Sequence, residues 1–193
     1  MFSDIRGFSS LAERLPPREV AEVVGRHLTA MVEVVTSHGG VLDKFAGDAV
    51  MAVFGAPRPA EDHARRALEC AAAMQRRQLA LNHAAEHEVL PLPVFQIGIG
   101  VNTGTVIAGT LGGVGRLDYT VLGDAVNIAQ RLQSEAAGGE ILASAATVRQ
   151  AGTDRAESVG PKQLKGRHEL VHVYRIRWAG ASAAQPGETA YAE

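Results

Sequence analysis

The chain has 193 residues, 46% hydrophobic and 21% charged, with a formal net charge of -2. That size and balance suit one compact domain with a real core and exclude a chain drawn to nucleic acid or anionic lipid by overall charge. Its one cysteine, Cys70, excludes an internal disulfide; set at helical spacing among Ala67, Ala71 and Met74, it reads as packing in a reducing compartment. No apolar run approaches the roughly 20 residues that span a bilayer, and nothing after Met1 resembles a signal peptide. A cytoplasmic location is therefore expected for this chain, with no membrane segment of its own, even if a parent protein is tethered.

In chain order, the first residues read as the end of a strand cut short at the N-terminus, since Asp4 arrives before there is room for a full one. Pro16-Pro17 opens a long amphipathic helix with Val20, Val24, Leu28, Met31 and Val35 on one face, and Gly39-Gly40 stops it. Val41 to Ala46 and Ala49 to Phe54 are short strands joined by Gly47-Asp48, which places Asp48 at a hairpin tip. The second of them, apolar on both faces, is expected to be a central strand. Asp62 to about Ala85 reads as a second long helix, and Val94 to Val101 and Thr105 to Thr110 as strands joined at Asn102-Thr103-Gly104. Arg116 to Leu122 is a further strand, and Asp124 to about Glu135 another helix. A strand at Ile141 to Ala143, a short helix at Ala145 to Gln150, and strands around Lys165 and over Val171 to Trp178 complete a domain of residues 1–178. Residues 179–193 are expected to be a disordered tail. This order predicts an α/β (α+β) sandwich, a mostly antiparallel sheet covered by helices around a ferredoxin-like core.

Two aspartates stand out. Asp4, in Phe2-Ser3-Asp4-Ile5-Arg6-Gly7-Phe8, and Asp48, in Lys44-Phe45-Ala46-Gly47-Asp48-Ala49-Val50-Met51, each sit in an apolar stretch expected to be a buried strand. An ionised carboxylate there needs a strong partner, and two of them suggest bound cations. Alone, Asp48 would be an ordinary turn residue and Asp4 an ordinary helix cap. If they meet, they can hold two divalent metals about 4 Å apart, the arrangement that serves in-line phosphoryl displacement. Asn127 and Arg131, four apart on one helix face, can reach one ligand together.

Phe2 to Phe8, Lys44 to Phe54, Asp118 to Arg131 and Leu164 to Gly166 together resemble the catalytic domain of class III adenylate/guanylate cyclases. The resemblance implies that Asp4, Asp48 and the Ile5 backbone carbonyl bind two Mg2+ or Mn2+ ions per active site. It implies that the backbone N–H groups around Phe8, with Ser9 nearby, cradle the triphosphate. Asn127 would orient the ribose, Arg131 would stabilise charge at the α-phosphate, and Lys165 would hold the terminal phosphates. The family's sites form between two subunits, so a chain carrying both halves implies a two-fold homodimer with two shared sites.

Base choice falls to Lys44 and Thr120. Lys44 resembles the family's adenine-reading lysine, and Thr120 the partner of a subclass that includes bicarbonate-responsive enzymes; ATP is the expected substrate. Gly98 departs from the pattern, standing where many relatives have a basic residue for the phosphates. The expected reaction is conversion of ATP to 3′,5′-cyclic AMP and pyrophosphate. The alternatives are a guanylate cyclase, or a weakly active cyclase-like module that dimerises or senses nucleotide. The rival enzyme readings are a nucleotidyl transferase and a dinucleotide cyclase, of which the hairpin Ala46-Gly47-Asp48-Ala49 disfavours the dinucleotide cyclase, and no segment is basic enough for a nucleic-acid partner.

Overall fold

The structure, a computed structural model, describes residues 1–87, 93–113, 116–167 and 169–178; the expected tail lies outside them. Its elements are β1 Phe2–Ile5, α1 Phe8–Arg14, α2 Pro17–Ser37, β2 Val41–Ala46, β3 Ala49–Val53, α3 His63–Glu86, β4 Ile97–Val101, β5 Ile107–Gly113, β6 Arg116–Leu122, α4 Asp124–Glu135, β7 Ile141–Ser144, α5 Ala145–Ala151, β8 Ala156–Gln163 and β9 Leu170–Ile176. Seven strands form one sheet in the order β2-β3-β1-β4-β7-β9-β8, while β5 and β6 form a separate two-stranded arm. The run β1–α2–β2–β3–α3–β4 is a ferredoxin-like β-α-β-β-α-β unit with every strand pair antiparallel. Among the described pairs, β4 with β7 alone is parallel.

Strand β4 shows how the sheet comes to be covered on both faces. Its alternate residues Ile97, Ile99 and Val101 join Met31 and Val35 of α2 and Cys70, Ala71 and Met74 of α3 in the main core, all buried. Burial also pushes the Cys70 thiol up to about 12, so it acts as packing. The other face of β4 carries Gly98 and Gly100. A Cβ on Gly100 would lie 2.1 Å from Gln133 N and 2.3 Å from Ala129 O. The missing side chain thus lets the backbone of α4 lie directly on the strand. A second core of Leu132, Ala136, Leu142, Leu164 and Val173 closes that face.

Four expectations need correction. The turn signal at Asn102-Thr103-Gly104 does not make a hairpin: β4 pairs with β1 and β7, and the local hairpin is β5 with β6. Strand β4 starts at Ile97 rather than Val94. Lys165 lies in a turn, and the strand before it is β8, which carries Gly160 at a register shift and Pro161. An edge strand tolerates both residues, since one side of its backbone needs no partner. In α2 the buried stripe is Val23, His27, Ala30, Met31 and Val35, so the helix is rotated from the expected face.

His27 is the polar member of that stripe and is fully buried. Its Nδ1 lies 2.8 Å from Gln78 Oε1. Gln78 in turn donates to Asn82 Oδ1 at 2.8 Å, and Asn82 Nδ2 donates to the Phe95 carbonyl at 2.7 Å, carrying the chain of bonds from α2 to the approach to β4. With Gln78 Oε1 as acceptor, the ring proton sits on Nδ1, while Nε2 is buried without a partner among the described residues. Burial therefore lowers the His27 pKa from its ordinary 6.5, opposed by the Gln78 bond. The unfolded chain binds the proton more readily, so the stability this ring contributes is full above about pH 6.5 and is lost as pH falls below it. Melting temperature should accordingly fall less between about pH 7.5 and about pH 5.5 in His27→Leu than in the parent. Parallel curves would remove His27 from the acid response.

Among the described residues no helix is long and apolar enough to cross a membrane.

Candidate active site

Strand β1 is four residues long and is paired with β3 on one side and β4 on the other. The pairing of Asp4 with Gly98 puts Asp4 on the α4 face, where Gln133 Nε2 donates to Asp4 Oδ2 at 3.3 Å. The Gly47-Asp48 turn brings the second aspartate to the end of β1, where Ile5 N–H donates to Asp48 Oδ2 at 3.2 Å. Both aspartates are half-buried rather than enclosed in strand interiors. Burial, and then the adjacent Asp48 carboxyl, push Asp4 up to about 6, against the pull of Arg6.

Two repelling carboxylates beside the Ile5 backbone form a hard-oxygen set, and their mutual destabilisation is what a divalent cation relieves; the residues fit Mg2+ or Mn2+. Among the described residues no group of three or more His, Cys, Asp or Glu is placed to hold a metal.

Arg6 belongs to this site and was not foreseen. Its guanidinium lies over Gly98, where a Cβ would fall 2.1 Å from Arg6 Nη2 and 2.3 Å from Nε. Nη2 donates to the Gln133 carbonyl, and Nε is buried without a partner among the described residues. The glycine that seemed to delete a cation from β4 instead makes room for one from the end of β1. The signal was available in Asp4-Ile5-Arg6 and Gly98 taken together, because two residues on from a strand aspartate returns to the same face.

At the far side of the hairpin, the β2–β3 register shifts between Leu42 and Lys44, so that Asp43 is the extra residue of a β-bulge. The Asp43 side chain is 2% exposed, against 48% for Lys44, and their charged atoms are 3.3 Å apart. Thr120 Oγ1, from β6, donates to the same carboxylate at 2.8 and 3.0 Å. Lys44 and Thr120, distant in sequence, therefore meet around a buried anion to which the sequence reading gave no role.

Asn127 is exposed and Arg131 half-buried on α4, and neither has a hydrogen bond or ion pair with another described residue. Glu135, the local partner available to Arg131, pairs with Lys162 at 3.7 Å instead. Lys165 is exposed in the turn Leu164–Gly166, which is anchored by buried Leu164. Arg167 grips both carboxylate oxygens of Asp124 and so ties that turn to the start of α4. Phe8 packs against the main core, and Ser9 is exposed in the first turn of α1. Among the described residues no hydrogen bond or ion pair links Asp4 or Asp48 to Lys44, Thr120, Asn127, Arg131 or Lys165. The structure brings Asp4 to Asp48, and Lys44 and Thr120 to the Asp43 carboxylate, while Asn127 and Arg131 on α4 and Lys165 in its turn stand apart from both pairs.

This arrangement of an acidic pair on a ferredoxin-like sheet, with a separate arm and a polar helix face, has relatives. The family model for the adenylate and guanylate cyclase catalytic domain matches residues 1–177, and the chain belongs to that family. It is 35% identical over 179 residues to adenylate cyclase 1 of Rhizobium meliloti, covering 91% of this chain and 27% of that protein. It is 32% identical over 185 residues to an adenylate cyclase of Anabaena cylindrica, covering 92% of this chain and 36% of the relative. The chain thus spans about a third of the length of these curated relatives. Among solved structures it resembles the adenylyl cyclase CyaB from P. aeruginosa, with TM-score 0.86 and 32% identity over 95% of this chain and 94% of the other. It also resembles the guanylyl cyclase Cya2, with TM-score 0.85 and 37% identity over 94% and 91%. Overall similarity therefore does not choose the base.

Proposed function

We propose that the chain is the catalytic domain of an adenylate cyclase, which converts ATP to 3′,5′-cyclic AMP and pyrophosphate for signal transduction. The observation that carries this is the meeting of Asp4 and Asp48 at the end of β1, with Asp4 pushed up to about 6 by burial and by its neighbour. Asp4, Asp48 and the Ile5 carbonyl hold a pair of Mg2+ or Mn2+ ions. When bound, that pair supplies Lewis-acid activation of the ribose 3′-hydroxyl and neutralises phosphate charge. Arg131 places its guanidinium at the α-phosphate, where charge develops as the hydroxyl attacks and pyrophosphate departs. Asn127 holds the ribose, Lys165 the terminal phosphates, and the N–H groups around Phe8 and Ser9 the remaining phosphate oxygens. Lys44 and Thr120 read the adenine.

The proposal includes a homodimer: following the shared sites of the family, each active site takes Asp4 and Asp48 from one chain and Lys44, Thr120, Asn127, Arg131 and Lys165 from the other. Support comes from the β5–β6 arm, where Ile107 is 74% exposed and Leu122 53%, with Tyr119 and Leu111 also uncovered. Apolar side chains gathered on one element mark a contact surface.

The test is purified protein with Mn2+ and either ATP or GTP, with cyclic nucleotide and pyrophosphate measured together. Cyclic AMP and pyrophosphate in equal amounts, formed from ATP in preference to GTP, are expected. Cyclic GMP as the main product would make the domain a guanylate cyclase, and no cyclic product from either would leave a nucleotide-sensing dimerisation module.

A further inference from the structure

We propose that Asp43 is a positioning residue for base selectivity, acting through the Thr120 hydroxyl; this rests on the reading of Thr120 and Lys44 as the base-reading pair. A threonine hydroxyl is ambiguous, since it donates one hydrogen bond and accepts others. As a lone contact it would serve a 6-amino purine and a 6-oxo purine about equally. Here the ambiguity is removed. The Asp43 carboxylate is buried, is held beside the Lys44 ammonium at 3.3 Å, and can only accept. The Thr120 proton is committed to it at 2.8 and 3.0 Å. What Thr120 can still present to a ligand is its lone pairs.

The pair then shows a base an acceptor at Thr120 and a donor at Lys44. Adenine offers the complement, an exocyclic amino group beside an unprotonated ring nitrogen. Guanine offers the inverse, an oxygen beside a ring N–H, so both contacts become like against like. The bulge makes this possible. Consecutive strand residues normally point to opposite faces, and the extra residue lets the Asp43 carboxylate and the Lys44 ammonium approach to 3.3 Å.

The experiment measures kcat/KM for ATP and GTP and, independently of turnover, displacement of a fluorescent ATP analogue by ATP and by GTP. Asp43→Asn nearly preserves size but allows an amide N–H to face Thr120, freeing the hydroxyl to donate. Its ATP:GTP ratio should fall by roughly tenfold or more in both measurements, while Asp43→Glu, which keeps an acceptor, should retain a preference for ATP. A carboxylate that merely ties β2 to β6 would lower both substrates alike and leave the ratio unmoved, which overturns the proposal. In a Thr120→Val background Asp43→Asn should change the ratio no further; an equal additional change would show that Asp43 does not act through Thr120.

If Asp43→Asn fails to fold, the parent protein still decides the acceptor role. Purine riboside triphosphate, which lacks only the amino group, should displace the probe about tenfold less well than ATP. Equal displacement would overturn the proposal with no variant involved. Selective ATP binding without a cyclic product would count against the catalytic reading and leave selectivity standing. Cyclisation with equal binding of ATP and GTP would do the reverse.

Discussion

An Asp48→Ala chain mixed with an Arg131→Ala chain should recover about a quarter of the parent activity, although each variant alone is nearly inactive. Asp48 accepts from the Ile5 N–H and completes the acidic pair, whereas the Arg131 side chain projects from α4 with no partner among the described residues. Removing either takes away charge stabilisation aimed at the transition state, which typically costs about 10²–10³-fold in rate. In a two-fold dimer with shared sites, a mixed pair concentrates both lesions in one site and leaves the other intact. Random exchange puts about half of the chains in mixed pairs, each with one working site of two, hence the quarter. The check is activity against mixing ratio, with exchange followed by native mass spectrometry. Full exchange without recovery would mean that each chain builds its site alone.

The largest effect on stability is expected at Gly100. The atoms its Cβ would strike, Gln133 N at 2.1 Å and Ala129 O at 2.3 Å, are backbone of α4 and cannot swing aside. Gly100→Ala must lift the helix from the strand and open the core around Leu132, which is 0% exposed. A cost at or above the upper end of overpacking, about 3 kcal/mol, would lower the melting temperature by roughly 10 °C in a domain this size. Gly98→Ala is the control. Its Cβ would meet Arg6 Nη2 at 2.1 Å, but that contact is the end of a flexible side chain, which can move. It should melt closer to the parent and lose activity through displacement of Arg6 from the acidic pair. If Gly100→Ala melts within a degree or two of the parent, α4 does not sit on β4 as described.

Much of the fold was legible because its elements are local. The α2 and α3 helices, the Gly47-Asp48 hairpin and α4 follow from periodicity and turn residues, which need no knowledge of the rest of the chain. What escaped depends on distant partners. Asn102-Thr103-Gly104 carries a hairpin signal, yet β4 is enclosed by β1 and β7 and has no free edge for β5. Strand β8, with Gly160 and Pro161, lacks strand composition and exists because β9 pairs with it. His27 was invisible to an apolar stripe because a buried ring needs Gln78 to be tolerable.

The candidate site divides the same way. Asp4, Asp48, Lys44, Thr120, Asn127, Arg131 and Lys165 are singled out by motif, and the structure places Lys44 and Thr120 against one carboxylate, Asp43, and Asp4 beside Asp48. Arg6 and Asp43 each adjoin or lie close to a residue already singled out and still went unassigned. One depends on a missing Cβ across a strand pair, the other on a shift in register, and neither is a pattern in one dimension.

The bulge at Asp43 also bears on how such a domain could change its substrate. Exchanging Lys44 and Thr120 for residues suited to a 6-oxo purine would leave the buried anion beneath them, still claiming whatever proton the new side chains carry. Deleting the extra residue would remove the anion but slip the strand by one position and send its neighbours to the opposite face. On this reading the preference is written partly in the length of β2. Point substitution moves slowly along that coordinate, and percentage identity does not measure it.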